Sequence, residues 1–312
     1  MNVNALVISY NSSISQSSTL QSLLDTDNKD INFKIFIWNN GPNLFEDHDI
    51  EEYLEKCKEK RISLSIYQDL RNISLSKIYN YIIKKGNFDF IAILDQDSTI
   101  NVEYLQNIAT HRKSNLIFPR IITEKNNVAI QSHPHSSKDK NILINEGPVT
   151  SNMSSVTSGI VLSKDLINKI EKYRGYVFEE KLGFYGIDVD FFVTINHMIE
   201  KNISVNAFCV GSINHLFSSN NENENENENE FKSPFRYLEL LYFKIFFRET
   251  HQKKSKLTTL WICIREILRG KLPPLNAISV LRFAFENVHP RSKLIIKPDV
   301  EEKNCIYLEC QK

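Results

Sequence analysis

Through its first 120 residues the chain alternates short apolar runs with amphipathic stretches, a pattern that few architectures accommodate. Residues 4–9, 33–38, 64–68, 90–94 and 116–118 read as strands, and residues 15–24, 50–60, 74–85 and 102–111 read as helices. Strand, helix, strand in repetition predicts an α/β fold with a parallel sheet covered on both faces. Sheets of this kind bind ligands outside the carboxyl ends of their strands, so the residues just after each strand are the first candidates for a site.

Residues 121–157 loosen into polar, Ser-rich sequence, residues 156–163 form a strand-like run and residues 164–172 a short helix. A longer helix fits residues 189–201, where Phe191, Ile195 and Met198 share one face. Residues 220–230 then read N-N-E-N-E-N-E-N-E-N-E, which cannot bury apolar surface and predicts a disordered linker. Beyond it, residues 235–248, 257–269 and 277–288 look helical, with Gly270 at a stop position, Pro273-Pro274 as a break and Pro290 as the end of the last helix. The expected organisation is a domain over 1–219, a linker over 220–230 and a small helical module over 231–312.

Lys plus Arg and Asp plus Glu both total 38, so no whole-chain field argues for nucleic acid. The balance conceals a split: residues 231–312 hold 16 basic and 8 acidic side chains, which leaves 22 against 30 before them, or +8 behind and −8 in front. A basic module of this kind suits an anionic surface. Within it, Arg236, Lys244 and Arg248 share a helix with Tyr237, Tyr242, Phe243, Phe246 and Phe247, a pattern that fits either packing on the first domain or contact with a membrane interface. Lys253, Lys254 and Lys256 add charge for anionic headgroups. The N-terminus lacks a basic leader region and no apolar stretch reaches 18 residues, so the expected location is cytoplasmic, at the inner face of the plasma membrane. Five scattered cysteines, Cys57, Cys209, Cys263, Cys305 and Cys310, without a C-x-x-C pair, predict reduced thiols rather than disulfides or a zinc site.

The strand at 90–94 runs into Asp95-Gln96-Asp97-Ser98. On an extended backbone Asp95 and Asp97 project to the same side. Two hard oxygen donors there fit Mg²⁺ or Mn²⁺, and they equally fit a solvated turn. Asp188 precedes an amphipathic helix, where backbone N–H groups favour a carboxylate, so it reads either as a cap or as an acid/base group. Asp190 reads as a structural partner at the same helix start. His215 follows a strand-like run and is either a structural group or a metal ligand. His133 and His135 flank Pro134 in the Ser-rich segment and read as a loop feature.

The segment Asn72-Ile73-Ser74-Leu75-Ser76-Lys77-Ile78-Tyr79-Asn80, followed by residues 89–98, resembles the N-x-G-x-A-x-A-x-N … LDQDS signature of family 2 glycosyltransferases, especially a bacterial rhamnosyltransferase-like branch. Val7-Ile8-Ser9-Tyr10-Asn11 looks like the family's first-strand V-x-T-Y-N, Ile37-Trp38-Asn39-Asn40-Gly41 like V-D-N-G, and Thr157-Ser158-Gly159 like the acceptor-side S-G. Residues 184–191, F-Y-G-I-D-V-D-F, are similar to G-E-D-V-D-F. These matches fall in the family's order across residues 3–217. The resemblance implies a GT-A-like domain with a mostly parallel sheet, acting as an inverting, metal-dependent glycosyltransferase. It implies donor contacts from Ser9, Tyr10, Asn11, Asn39, Asp95, Gln96 and Asp97, acceptor-side roles for Ser158 and Gly159, and Asp188 as the base. Asp97 and His215 are the implied ligands of Mn²⁺ or Mg²⁺. The implied donor is a UDP- or dTDP-sugar, and the implied acceptor a growing O-antigen or capsule saccharide on polyprenyl diphosphate.

Three positions depart from the pattern: Asn39 stands for an Asp, Ser74 for a Gly and Ile187 for a Glu. Asn39 and Ile187 also suit a non-catalytic nucleotide-sugar-binding subunit. A sugar nucleotidylyltransferase needs a glycine-rich phosphate loop near the N-terminus, and no glycine occurs before Gly41.

Overall fold

The structure is a computed structural model that describes residues 1–25, 31–101, 103–125, 128–215, 234–269, 274–296 and 306–308. The 220–230 repeat expected as a linker lies outside the described residues, as do Cys305 and Cys310. The strands β1 (Asn2–Ser9), β2 (Asn32–Asn39), β3 (Ser63–Gln68) and β4 (Phe90–Asp95) form where the apolar runs predict them. Helices α1 (Ser18–Leu24), α2 (Asp47–Glu59), α3 (Leu75–Lys85) and α4 (Tyr104–Thr110) alternate with them. The strands read as nearly continuous apolar runs because both faces are covered. In β1, Leu6 and Ile8 enter one core while Val3, Ala5 and Val7 enter the other, as the two-residue period of a strand dictates.

The remaining strands are β5 (Ser98–Ile100), β6 (Leu116–Lys125), β7 (Val128–His133), β8 (His135–Ser136), β9 (Gly147–Val149), β10 (Met153–Ser154), β11 (Ile160–Ser163), β12 (Ala207–His215) and β13 (Ile306–Leu308). The main sheet runs β13-β3-β2-β1-β4-β11-β6-β12-β5, with β7 on β6 and β9 on β12. β3, β2, β1 and β4 are mutually parallel, and β6 is parallel to β12. This is the mixed, mostly parallel α/β sheet of the expected fold class, with one correction to the sequence reading. β11 is antiparallel to both β4 and β6, because the 121–157 segment expected to be loose polar sequence folds as a hairpin and short strands that return the chain in reverse. β11 is also shorter than the run at 156–163, since Gly159 at φ +86° turns the backbone before it.

Helices α5 (Lys164–Arg174) and α6 (Ile187–Glu200) join α3 on one face of the sheet. The C-terminal helices α7 (Pro234–Thr250), α8 (Lys256–Leu268) and α9 (Pro274–Glu286) share that core. Tyr237, Leu241, Tyr242, Ile245 and Phe246 of α7 are buried in the same cluster as Phe178 and Phe191. The aromatic face that could have met a membrane thus packs inward. α9 stops at Glu286, earlier than Pro290, and residues Pro290–Lys293 form a 3-10 turn instead. No helix among the described residues is long and apolar enough to cross a membrane.

Candidate active site

At the carboxyl end of β4 the strand stops at Asp95, and Gln96 and Asp97 turn the chain into β5. Asp97 therefore sits in a turn and not, as the extended reading had it, two residues along one strand. The turn is held from behind by the start of α1: Ser17 Oγ donates to the Gln96 carbonyl (2.8 Å) and Ser98 N donates to Thr19 Oγ1 (3.0 Å). The Gln96 amide ties the turn to the end of β1, accepting from Tyr10 N at 2.7 Å and donating to the Tyr10 carbonyl at 3.0 Å. Ser158 lies beneath, its Oγ accepting from Asp95 N at 3.2 Å. Gly159 is required there by space as well as by its φ, since an added Cβ would lie 2.7 Å from Pro119 Cγ.

Asp95, Gln96 and Asp97 face a cleft of about 470 Å³ that also takes in Tyr10, Asn40, Asn72, Tyr79, Thr157, Tyr185 and Asp188. Every segment of the family resemblance up to residue 190 thus contributes to one cavity. Not every named residue does. Ser9 is buried, and Asn11, whose N–H donates to the Gly41 carbonyl at 2.7 Å, is not part of the lining. Asn39 is buried with its amide spent internally, on the Asn43 carbonyl (2.8 Å), Gln68 Oε1 (3.0 Å) and the Gly41 N–H (3.0 Å). Its neighbour Asn40 lines the cleft instead and fastens Ile73 through both amide groups. Ser158 and Gly159 stand behind Asp95 while Thr157 reaches the cavity. The backbone of His215 pairs with Ser98 at the end of β12, beside the Asp97 turn. His133 and His135 lie at the β7–β8 junction with ring centroids 5.0 Å apart, away from this lining.

Asp188 is the second residue of α6, and the cap position belongs to Gly186, at φ +82° with no side-chain cap. Asp188 Oδ1 accepts the N–H of Val189 at 2.8 Å, which alone would favour ionisation. Burial outweighs it and pushes the carboxyl above its ordinary value. Tyr79, bonded to Thr157, is pushed up by burial and then by the charges of Asp95 and Asp188, so its hydroxyl keeps its proton. Asp190 is engaged elsewhere, with Arg174 Nη1 at 2.7 Å and His251 Nε2 at 2.9 Å.

The cleft's far wall, which no motif in the sequence marks, comes from the C-terminal segment. Phe235 and Arg236 of α7 and Arg291 of the 3-10 turn all line it. Arg236 Nε donates to Tyr185 Oη at 2.8 Å. Arg291 donates to Asn72 Oδ1 (3.1 Å) and to buried Glu239 (2.7 Å), which also meets His289 Nε2 at 3.2 Å. α7 presses so closely on residues 183–186 that a Cβ on Gly186 would lie 1.9 Å from the Phe243 ring. The +8 surplus of the C-terminal region was the one sequence signal for these cations.

Among the described residues no group of three or more His, Cys, Asp and Glu could enclose a metal ion. The pair Asp95 and Asp97 on one turn nevertheless fits Mg²⁺ or Mn²⁺, which keep waters and take their remaining ligands from substrate phosphates. Buried thiols take no part: burial pushes Cys209 up to about 12 and Cys263 up to about 11.

No family model and no curated protein matches the sequence. Among solved structures, the chain is similar to the 1–349 fragment of S. aureus TarS, with a TM-score of 0.49 and 16% identity, covering 97% of this chain and 77% of that one. A second TarS structure gives 0.49 and 16%, over 92% of this chain and 53% of that one. The fragment in complex with UDP-GlcNAc gives 0.47 and 15%, over 92% and 72%.

Proposed function

We propose that this protein is an inverting glycosyltransferase that moves a sugar from a UDP- or dTDP-linked donor to a hydroxyl of a growing O-antigen or capsule saccharide. The observation that carries this reading is the convergence of Tyr10, Asn40, Asn72, Asp95, Asp97, Thr157 and Asp188, drawn from motifs scattered over about 180 residues, around one cleft. Inversion by direct displacement needs one carboxylate to take the acceptor's proton as its oxygen attacks the anomeric carbon. Asp188 suits that role: its raised pKa makes it a stronger base than an ordinary carboxylate, and Tyr79 stays protonated beside it. Asp97 and His215 would hold the Mn²⁺ or Mg²⁺ that neutralises the departing nucleoside diphosphate, with Asp95 on the donor sugar. Arg236 and Arg291 bring guanidinium groups into the lining, which suits a cleft that receives a polyanion. The acceptor is carried on polyprenyl diphosphate at the inner face of the plasma membrane.

The test is release of nucleoside diphosphate from a panel of UDP- and dTDP-sugars with Mn²⁺. Wild type should turn over at least one donor, and Asp188→Asn should fall by about 10²-fold or more with nucleotide affinity little changed. Tight nucleotide binding without any turnover would favour the non-catalytic binding subunit.

A further inference from the structure

Helix α8 carries a stripe of large apolar side chains that the fold leaves outside its core. Leu257, Trp261, Ile264 and Leu268 follow at steps of four, three and four residues, which places them on one helix face. Leu257 is 80% exposed, Trp261 60% and Leu268 81%, while Thr259, Cys263 and Glu266 on the opposite face are buried. Phe285 of α9 is exposed beside the start of the stripe, where Lys256 Nζ donates to its carbonyl at 3.1 Å. With Ile278, the two helices hold six of the sixteen exposed large apolar side chains among the described residues, a concentration that scattered surface residues do not produce.

The edges of the stripe are cationic. Residues 251–286 contain seven Lys and Arg against two Glu. Both acids are engaged: Glu266 with Arg265 and Arg269, and Glu286 with Lys293. The Arg265 guanidinium lies over the Trp261 ring, 5.3 Å from its centroid, so the charge sits at the margin of the apolar face. A second copy docked face to face would bring these like charges together. An apolar stripe with a central Trp and a basic margin, on a helix unable to span a bilayer, has the chemistry of an interfacial helix.

We propose that α8 docks on an anionic lipid surface. Leu257, Trp261, Ile264 and Leu268 enter the acyl boundary, and Lys253, Lys254 and Lys256 meet the headgroups. The Tyr237 hydroxyl donates to Glu266 at 2.5 Å, which sets the C-terminal end of α8, through the face opposite the stripe, against the first turn of α7. Phe235 and Arg236 of that turn line the cleft, so docking brings the cleft near the membrane plane. Delivery of a lipid-linked acceptor rests on the transfer reading above, whereas the docking does not.

The experiment uses the full chain with phosphatidylcholine vesicles, alone or containing phosphatidylglycerol. Of the two tryptophans Trp38 is fully buried, so a change in emission reports Trp261. Wild type should sediment with the anionic vesicles only, with a blue-shifted emission and an affinity that falls with salt. The triple change Lys253→Gln, Lys254→Gln, Lys256→Gln should weaken partition by about 10²-fold, and Trp261→Ser should weaken sedimentation with the anionic vesicles, both without lowering the melting temperature. Folded wild-type protein that ignores anionic vesicles would overturn the proposal. So would a dimer in sedimentation velocity that Trp261→Ser dissolves while vesicles leave the Trp emission unmoved. Donor turnover, which needs no membrane, separates these failures from a failure of the transfer reading.

Discussion

For Asp188, the base proposed above, the burial that raises its pKa also costs stability when it ionises. Below its unfolded value of 3.8 the group is protonated in both states and the site carries no penalty. As pH rises through the higher folded value, the carboxylate ionises in a dry site and subtracts stability. Asp188→Asn, which cannot ionise, should therefore melt at or above the wild-type temperature near pH 7, with the gap closing at acid pH. Calorimetry across that range checks the sign, and a lower melting temperature at pH 7 would contradict it. The rate profile of wild type should lose activity on the acid side at a pH above 3.8. Asp95, Asp97 and Asp188 could be picked out as carboxylates following a strand or opening a helix. The internal use of Asn39 could not, because its partners Gln68 and Asn43 are fixed by the turn at Gly41, which no periodicity encodes.

At the scale of elements, the strands were legible because each buried strand sends alternate residues into two cores, as β1 and β4 do. The reversed strand β11 was not, since its direction follows from the hairpin before it and a four-residue apolar run has no polarity of its own. The closure of the cleft by the C-terminal segment was equally hidden: Arg236 of α7 and Tyr185 are 51 positions apart, and Arg291 of the 3-10 turn and Asn72 are 219 apart. The press of α7 on residues 183–186 makes Gly186 a sensitive point, with a left-handed backbone and the Phe243 ring where a Cβ would go. Gly186→Ala should cost about 1–3 kcal/mol in denaturant unfolding and depress transfer, because Asp188 lies two residues on. Phe243→Ala should cost less in the Gly186→Ala background than in wild type, because it removes the clash while leaving the backbone strain. A Gly186→Ala protein as stable as wild type would mean that α7 does not press on this loop.

For the whole molecule, composition and the Asn/Glu repeat suggest a separable basic module, yet α7 and α9 bury Tyr242, Phe246, Val280 and Phe283 in the core that holds Phe178 and Phe191. A shared core predicts one cooperative calorimetric transition for the full chain, and two resolved transitions would contradict it. The same packing explains why the +8 charge surplus serves two places at once. Arg236 and Arg291 turn toward the cleft, while the lysines before α8 and the arginines at its end border the outer apolar stripe.

In the proposed reaction the Asp95 to Asp97 turn receives a nucleoside diphosphate through a divalent cation. Calorimetric titration of UDP and dTDP, with and without Mn²⁺, into wild type and Asp97→Ala tests it most directly. Wild type should bind at least one nucleotide in a Mn²⁺-dependent manner, and Asp97→Ala should lose that binding. Equal affinity in the two proteins, or binding indifferent to Mn²⁺, would contradict it.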